Sequence, residues 1–249
     1  MLHLRLFKKN LVPFIGALVL ISFSLPSQAA EIHLGQGILP PYGIKETDSG
    51  IEVDIVRAAL AKKGHTVRVR FVPFGRVGQD LTDGKIDAAS TLTASSGVKA
   101  EYSDSHIAYQ NVATTLKDGG PAVGSVGDLG SLRVVAFRNA SIYLGDEFAA
   151  MSKGNKSYRE VGDQAAQNKL LMTGRTDAVV GDFRIFLYYN KQIASQIEIK
   201  EVMFNKIFPP TEYSVGFKDA SIRDDFNAGL KEIRSSGEYD KIIAKYVEN

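Results

Sequence analysis

The chain has 249 residues, with 30 lysines and arginines against 28 aspartates and glutamates, and it has no cysteine. A chain without cysteine has no disulfide framework, no thiol nucleophile and no cysteine for lipid attachment. The near-neutral charge argues against nucleic acid as a partner, because proteins that bind nucleic acid concentrate positive charge on their surface.

The first 29 residues have the composition of a secretion signal. Arg5, Lys8 and Lys9 precede the apolar run 11–23, and Leu25-Pro26-Ser27-Gln28-Ala29 ends in a small-x-small pattern that a signal peptidase cuts. We expect cleavage after Ala29 and a periplasmic protein. The alternative is an N-terminal membrane anchor, but the apolar run is short for a membrane-spanning helix. Removal of residues 1–29 would change the formal net charge from +2 to −1.

The first half of the remaining chain predicts the order β-α-β-α-β. Alternating apolar residues predict strands at 32–35 and 67–72, a helix fits 50–63, and a short helix ends at the Gly84 turn before a third strand. This order is typical of a parallel sheet covered by helices. A further strand is predicted at 112–116. Gly119-Gly120-Pro121 then predicts a crossing between two lobes.

The second half predicts a second set of strands and helices, broken again at Phe208-Pro209-Pro210. The predicted strands lie at 132–137, 178–180, 197–202 and 213–217. The predicted helices lie at 142–151, 164–172, 184–193, 222–234 and 239–247. The alternation of both element types predicts an α/β protein.

One short pattern occurs twice and indicates two similar lobes. Gly84-Lys85-Ile86-Asp87-Ala88 is echoed by Gly174-Arg175-Thr176-Asp177-Ala178. Each copy leads into a strand that ends in polar residues, and Asp182 is at the end of the second. Open α/β sheets bind ligands at the carboxyl ends of their strands, so Asp182 is a candidate ligand contact. The alternative is that Asp182 caps the following helix.

Seven segments, in this order, resemble the family 3 extracellular solute-binding proteins, which are the periplasmic receptors of polar amino acid ABC transporters. The segments are Pro40-Pro41-Tyr42, Gly50-Ile51-Glu52-Val53-Asp54, Gly84-Lys85-Ile86-Asp87-Ala88, Tyr102-Ser103-Asp104, Asp128-Leu129, Gly174-Arg175-Thr176-Asp177-Ala178 and Gly237-Glu238-Tyr239-Asp240-Lys241-Ile242. The resemblance implies the two-lobed type II periplasmic binding protein fold, in which each lobe is a mostly parallel sheet flanked by helices and two hinge segments cross over. It implies residues 30–117 plus 213–249 as lobe one and 118–212 as lobe two.

The resemblance also implies a ligand site between the lobes for an amino acid or a related amine or carboxylate. The implied ligand residues are the cationic-group contact Asp182, the aromatic residues Tyr42 and Phe74, the hydroxyl loop Thr91 and Thr93, the helix start Ala140 and Ser141, and the basic residues Arg76 and Arg138. Two positions depart from the family pattern. Ser96 stands where the family has a carboxylate-binding arginine, so Arg76, Arg138 or Lys99 would have to supply that charge. Asn139-Ala140-Ser141 replaces the family's Gly-Thr-Thr.

The expected function is capture of a small polar solute by a monomer that delivers it to an inner-membrane ABC permease. The alternatives are a dehydratase-like enzyme that uses Asp182 or Glu52 as its acid, and a ligand receptor for a membrane sensor. The sequence has no common hydrolase, phosphate-loop, dinucleotide or zinc-protease motif. No catalytic residue, cofactor or metal site is therefore expected. Glu52 and Asp54 are expected to cap the first helix.

Overall fold

The structure, a computed structural model, describes residues 29–247. The predicted signal peptide, residues 1–29, lies outside the described residues except for Ala29. Within the described part, no helix is both long enough and apolar enough to cross a membrane.

The described residues form two sheets and eight helices. The strands are β1 (Glu31–Gly37), β2 (Thr66–Val72), β3 (Ala88–Leu92), β4 (Glu101–Tyr102), β5 (Ile107–Tyr109), β6 (Asn111–Leu116), β7 (Val134–Ala136), β8 (Tyr158–Glu160), β9 (Ala178–Asp182), β10 (Val202–Asn205) and β11 (Thr211–Phe217). The helices are α1 (Ile51–Ala61), α2 (Val77–Thr82), α3 (Ala140–Tyr143), α4 (Asp146–Gly154), α5 (Gln164–Met172), α6 (Phe183–Ile193), α7 (Ala220–Ser235) and α8 (Glu238–Val247).

The first sheet has the order β2-β1-β3-β11-β4, and β5 also pairs with β11. β1 is parallel to β2 and β3, whereas β11 is antiparallel to its neighbours. The apolar faces of α1 and α7 cover this sheet, and fully buried Leu34, Ile55 and Phe226 belong to the core between them. α7 lies so close to α1 that a Cβ on Gly229 would be 1.9 Å from the carbonyl oxygen of Ala59.

The second sheet has the order β10-β6-β9-β7-β8. β7 is parallel to β8 and β9, and β6 and β10 run antiparallel at the other side. Val134 and Val180 from adjacent strands pack with Phe148 of α4 in a separate core. Each sheet thus has its own helices and its own core, and the predicted α/β architecture with two lobes is confirmed.

The chain crosses between the sheets at Gln110 and again within 206–210. β5 pairs with β11 in the first sheet, whereas β6 pairs with β9 in the second, where Asn111 lies opposite Asp182. The crossing predicted at Gly119-Gly120-Pro121, and the lobe-one boundary predicted at residue 117, are therefore corrected to residue 110. The Gly-Gly-Pro break is a loop that follows β6.

Two further differences have local causes. The helix predicted at 142–151 is divided into α3 and α4, because Gly145 between them takes a left-handed backbone with φ +88°. The strand predicted at 197–202 begins only at Val202, where pairing with Leu116 of β6 starts. The short strand β8 was not predicted at all.

The close approach of α7 to α1 can be tested with glycine substitutions. Gly229→Ala should lower the free energy of unfolding by about 1–3 kcal/mol, because the added methyl group overlaps the Ala59 carbonyl. Gly154→Ala, at the end of α4 with no atom nearby, should leave it unchanged or raise it by up to about 1 kcal/mol. Urea denaturation of both variants measures the difference, and equal stabilities would contradict the close packing.

Candidate functional site

The two sheets turn the carboxyl ends of their parallel strands toward each other. β9 ends at Asp182, and the Asp182 carboxylate accepts a hydrogen bond of 2.8 Å from the hydroxyl of Tyr42. Tyr42 lies in the loop that follows β1 in the other lobe. Open α/β sheets bind ligands at this edge. The candidate site is therefore the cleft between the loops that follow the strands of both lobes.

Asp182 is buried and has four hydrogen-bond donors. Besides Tyr42, the backbone N–H groups of Gln110, Arg184 and Ile185 donate to it at 2.9, 2.9 and 3.1 Å. Burial raises the pKa of Asp182, while these hydrogen bonds act to lower it. Its role as the cap of α6 is confirmed. Three of these donors share Oδ1 and only Gln110 donates to Oδ2, so Asp182 is well bonded within the chain but keeps acceptor capacity at Oδ2, and its contact with a ligand stays a prediction.

Tyr42 is fully buried and stacks on Tyr109, with the ring centroids 3.8 Å apart. Burial and the nearby Asp182 charge raise the pKa of the Tyr42 hydroxyl well above its ordinary value, so it remains a donor. The Tyr42 ring, predicted to contact a ligand, is thus covered by Tyr109 and buried within the protein. From the other lobe, Arg184 donates to the Ala108 carbonyl at 2.9 Å, and Ile185 packs in the first-lobe core. The start of α6 is therefore anchored in lobe one.

A second buried carboxylate, Glu52, lies behind this contact. The Glu52 carboxylate accepts hydrogen bonds from Thr91 Oγ1 at 2.6 Å, from Gln36 Nε2 at 3.1 Å and from the Tyr109 hydroxyl at 3.1 Å. His106 Nε2 lies 3.0 Å from its other oxygen. The prediction that Glu52 caps α1 is wrong, because its carboxylate lies inside this cluster and the cap position of α1, Gly50, has no side chain.

Asp54 does not cap α1 either. Its carboxylate accepts hydrogen bonds from Lys245 Nζ at 2.8 Å and from the Tyr246 hydroxyl at 2.6 Å, and both donors belong to α8. Asp54 therefore fastens the last helix to the first one.

The two predicted hydroxyl residues differ in surroundings. Thr91 is buried, takes a left-handed backbone with φ +58°, and directs its hydroxyl at Glu52. That conformation costs a residue with a Cβ about 1–2 kcal/mol. Thr93 is partly exposed and pairs with Ser95 Oγ at 2.9 Å. Ser96, at the position of the family's arginine, is exposed and donates to the Thr93 carbonyl at 2.7 Å. Thr93, Ser95 and Ser96 thus lie near solvent, whereas the Thr91 hydroxyl is buried against Glu52.

The start of α3 holds a carboxylate from the chain itself. Glu160, at the end of β8, accepts hydrogen bonds from the backbone N–H groups of Asn139 and Ser141 at 2.6 and 3.0 Å, and from Ser141 Oγ at 2.7 Å. Burial acts to raise the pKa of Glu160, but the hydrogen bonds from Ser141, Tyr158 and Asn139 outweigh it and lower the pKa. Ala140, between them, is fully buried. The predicted helix-start contacts are thus occupied by an ionised side chain.

The predicted basic residues lie at different strand ends. Arg76 follows β2, and its guanidinium is 3.5 Å from the buried carboxylate of Asp80. Arg138 follows β7, is exposed, and rests against Gly162. Among residues 29–247 it has no hydrogen-bond or ion-pair partner. Phe74, also after β2, is half exposed and packs over Gly37. Lys99 is exposed on the loop before β4.

Sequence reasoning missed Gln110, Tyr109, His106 and Glu160. Gln110 joins the two crossings, because its side chain donates to the Phe208 carbonyl at 2.9 Å. None of these residues belongs to a local motif. The only sequence signal of the crossing is that β5 and β6 are separated by a single residue, Gln110, with no glycine or proline between them.

The burial of Asp182 predicts a large effect on stability. Asp182→Ala should lower the free energy of unfolding by about 2–4 kcal/mol, because it removes a helix cap and leaves buried donors without an acceptor. Asp163→Ala is the matched control, since Asp163 caps α5 from an exposed position with one bond to Ala166. It should cost about 1 kcal/mol. Equal losses in urea denaturation would contradict the central role of Asp182.

The stacked tyrosines allow a test of the contact between lobes. Tyr42→Phe removes a hydrogen bond to a carboxylate in the other lobe, worth about 1.5–3 kcal/mol, whereas Tyr109→Phe removes one to Glu52 within lobe one. Hydrogen exchange at the start of α6 should therefore quicken in Tyr42→Phe only. In Tyr109→Phe the faster exchange should be confined to α1. The same exchange pattern in both variants would show that the Tyr42 bond does not hold the lobes.

Comparison with known proteins agrees with this architecture. Residues 35–249 match the sequence profile of the bacterial extracellular solute-binding proteins, family 3. The chain is 24% identical over 235 residues to a protein of Mannheimia haemolytica named arginine-binding periplasmic protein, with 89% of this chain and 92% of that protein covered.

Two solved structures share the fold. One is a histidine kinase sensor domain with similarity to periplasmic binding proteins, with a TM-score of 0.65, 21% identity and coverage of 88% of this chain and 96% of that chain. The other is an ancestral amino acid-binding protein described as a precursor of cyclohexadienyl dehydratase, with a TM-score of 0.61, 21% identity and coverage of 88% and 96%. With a family profile matched from residue 35 to the end, the chain belongs to the bacterial extracellular solute-binding proteins, family 3.

Proposed function

We propose that this protein is a periplasmic solute receptor that captures a small polar solute, an amino acid or a related amine or carboxylate, between its lobes and delivers it to an inner-membrane ABC transporter. The observation that carries the proposal is the arrangement of two sheets, each with its own core, between which the chain crosses at Gln110 and 206–210, with the loops at the carboxyl ends of both sheets facing one cleft. Bending at two crossings closes such a cleft around a ligand.

The base of the cleft supports the role of a hinge. Gln110 donates its backbone N–H to Asp182 and its side chain to Phe208, so both crossings are tied at the same point. The lobes can rotate about this point while their cores stay intact. Closure would then bring the loops after β1, β2 and β7 together without breaking the Tyr42–Asp182 contact.

We infer that the protein is not an enzyme of the dehydratase type. The two candidate acids for such a reaction, Asp182 or Glu52, are both buried, and each accepts several hydrogen bonds from the chain. A general acid needs a path to its substrate and a proton that it can give up. The likeness to the dehydratase precursor concerns the fold alone.

A receptor for a membrane sensor is the second candidate. It is favoured by the fold shared with a histidine kinase sensor domain and by the absence of the family's carboxylate-binding arginine at Ser96. Transport and sensing use the same cleft and the same closure, so they differ only in the membrane protein that reads the closed form.

Ligand capture is tested by a thermal-shift screen of the purified protein. The panel holds amino acids with arginine among them, amines, short carboxylates and dipeptides. A ligand at 100 times its Kd should add about 2.7 kcal/mol of stability, or about 5–11 °C in Tm for a chain of this size. Small-angle scattering with the hit should show a smaller radius of gyration. No shift with any solute, and no compaction, would contradict the proposal.

Transport and sensing are then separated in the cell. A strain that lacks the protein should lose uptake of the radiolabelled hit if the protein serves a transporter. Unchanged uptake, combined with a lost transcriptional or growth response to the hit, would contradict transport and establish the sensor role.

A further inference from the structure

Exposed apolar side chains are concentrated at the edge where the two lobes meet. Six large apolar residues are exposed among residues 29–247, and four of them follow strands at this edge. Ile38 follows β1 and Phe74 follows β2, with 41% and 48% of their surfaces exposed. Ile142 and Tyr143 of α3 follow β7, with 74% and 71% exposed. Single exposed apolar residues are ordinary, but a concentration at a ligand edge indicates a binding surface.

The two pairs come from opposite sides of the cleft. Ile38 and Phe74 are neighbours, because the Ile38 N–H donates to the Val72 carbonyl and the Phe74 ring covers Gly37. On the other side, β7 lies next to β9, whose last residue Asp182 contacts lobe one.

The charges at this edge favour an anion. β7 lies between β9 and β8, and the acids that end those two strands, Asp182 and Glu160, are both hydrogen-bonded within the chain. Arg138, which follows β7, has no partner among the described residues. An α-ammonium group placed here would meet only acids that already accept hydrogen bonds from the chain. A carboxylate would meet an unpaired guanidinium, which forms strong charge-assisted hydrogen bonds with carboxylates.

We propose that the cleft selects small aromatic carboxylates that lack an α-ammonium group, held by Arg138 at the acid and by Phe74, Ile38, Ile142 and Tyr143 around the ring. This proposal rests on the function proposed above and names the ligand class of the same cleft. Ligand sites in proteins are commonly apolar with a few polar groups that fix orientation, and this edge has that composition. Asp182 and Glu160 already accept several hydrogen bonds within the chain, so the ammonium of a zwitterion would compete with those donors.

Three ligands with one indole ring test the proposal. Indole-3-propionate carries the acid alone, tryptophan carries the acid and the α-ammonium, and tryptamine carries the ammonium alone. The protein has no tryptophan, so indole emission excited beyond the absorption band of its tyrosines reports the ligand alone. Indole-3-propionate should bind with blue-shifted emission. Tryptophan and tryptamine should bind at least about tenfold more weakly, because their ammonium group is left without a partner.

Substitutions locate the site. Arg138→Ala should weaken indole-3-propionate binding by about tenfold or more, and Tyr143→Ala by about threefold to tenfold. Ile199→Ala is the matched control, since Ile199 is an exposed apolar residue just before β10 and away from this edge, and it should change nothing. All three side chains are exposed, and circular dichroism verifies that the variants are folded.

The outcomes separate this proposal from the function on which it rests. Tryptophan or tryptamine binding as tightly as the acid, or indole-3-propionate binding that neither Arg138→Ala nor Tyr143→Ala weakens, would overturn the ligand class. The ligand class would also be overturned if another solute of the screening panel closed the cleft while indole-3-propionate did not bind. In that case the receptor function would stand. If no solute of either set binds, both proposals fail.

Discussion

The arrangement of the two lobes depends on one buried carboxylate, that of Asp182. It joins three parts of the chain, because its donors are Tyr42 in the first lobe, Gln110 at the first crossing and the start of α6 in the second lobe. A carboxylate removed from water is costly unless donors replace its hydration. Here the four donors come from three segments, so the carboxylate has all of its partners only when those segments meet. That requirement fixes the base of the cleft.

Glu52 extends this constraint into the first lobe. Tyr109 stacks on Tyr42 and donates to Glu52, and it immediately precedes Gln110, so the two buried carboxylates are linked through one stacked pair next to the hinge. A buried, densely hydrogen-bonded polar cluster permits few alternative packings. The lobe-one side of the crossing is therefore rigid, and the closure proposed above would have to come from backbone rotation at Gln110 and 206–210. Because α6 is anchored in lobe one, its first turn would lie near the axis of such a rotation.

The two lobes can be predicted from the sequence, whereas most of the contacts between them cannot. Alternating strands and the echo of Gly-basic-x-Asp-Ala predict two sheets, and the short apolar run 178–180 places Asp182 at a strand end. The role of Glu52 could not be predicted, since an acid in the first turn of a helix usually acts as a cap, and its partners lie 16 to 57 positions away. The first crossing was misplaced because Gly119-Gly120-Pro121 is a stronger break than the single residue Gln110. Glu160 was missed together with β8, because the three residues of that strand are too few to show an alternation of apolar and polar side chains.

The separation between buried and exposed residues at the edge explains how one scaffold can serve different ligands. Residues that hold the lobes, such as Asp182 and Tyr42, are buried and bonded to one another. Residues that meet solvent, such as Phe74, Arg138 and Tyr143, lie on turns after the strands and take no part in those bonds. Changes on these turns cost little stability, because they disturb neither core nor hinge. The ligand class of such a protein can therefore change while the buried contacts that hold the lobes together are retained.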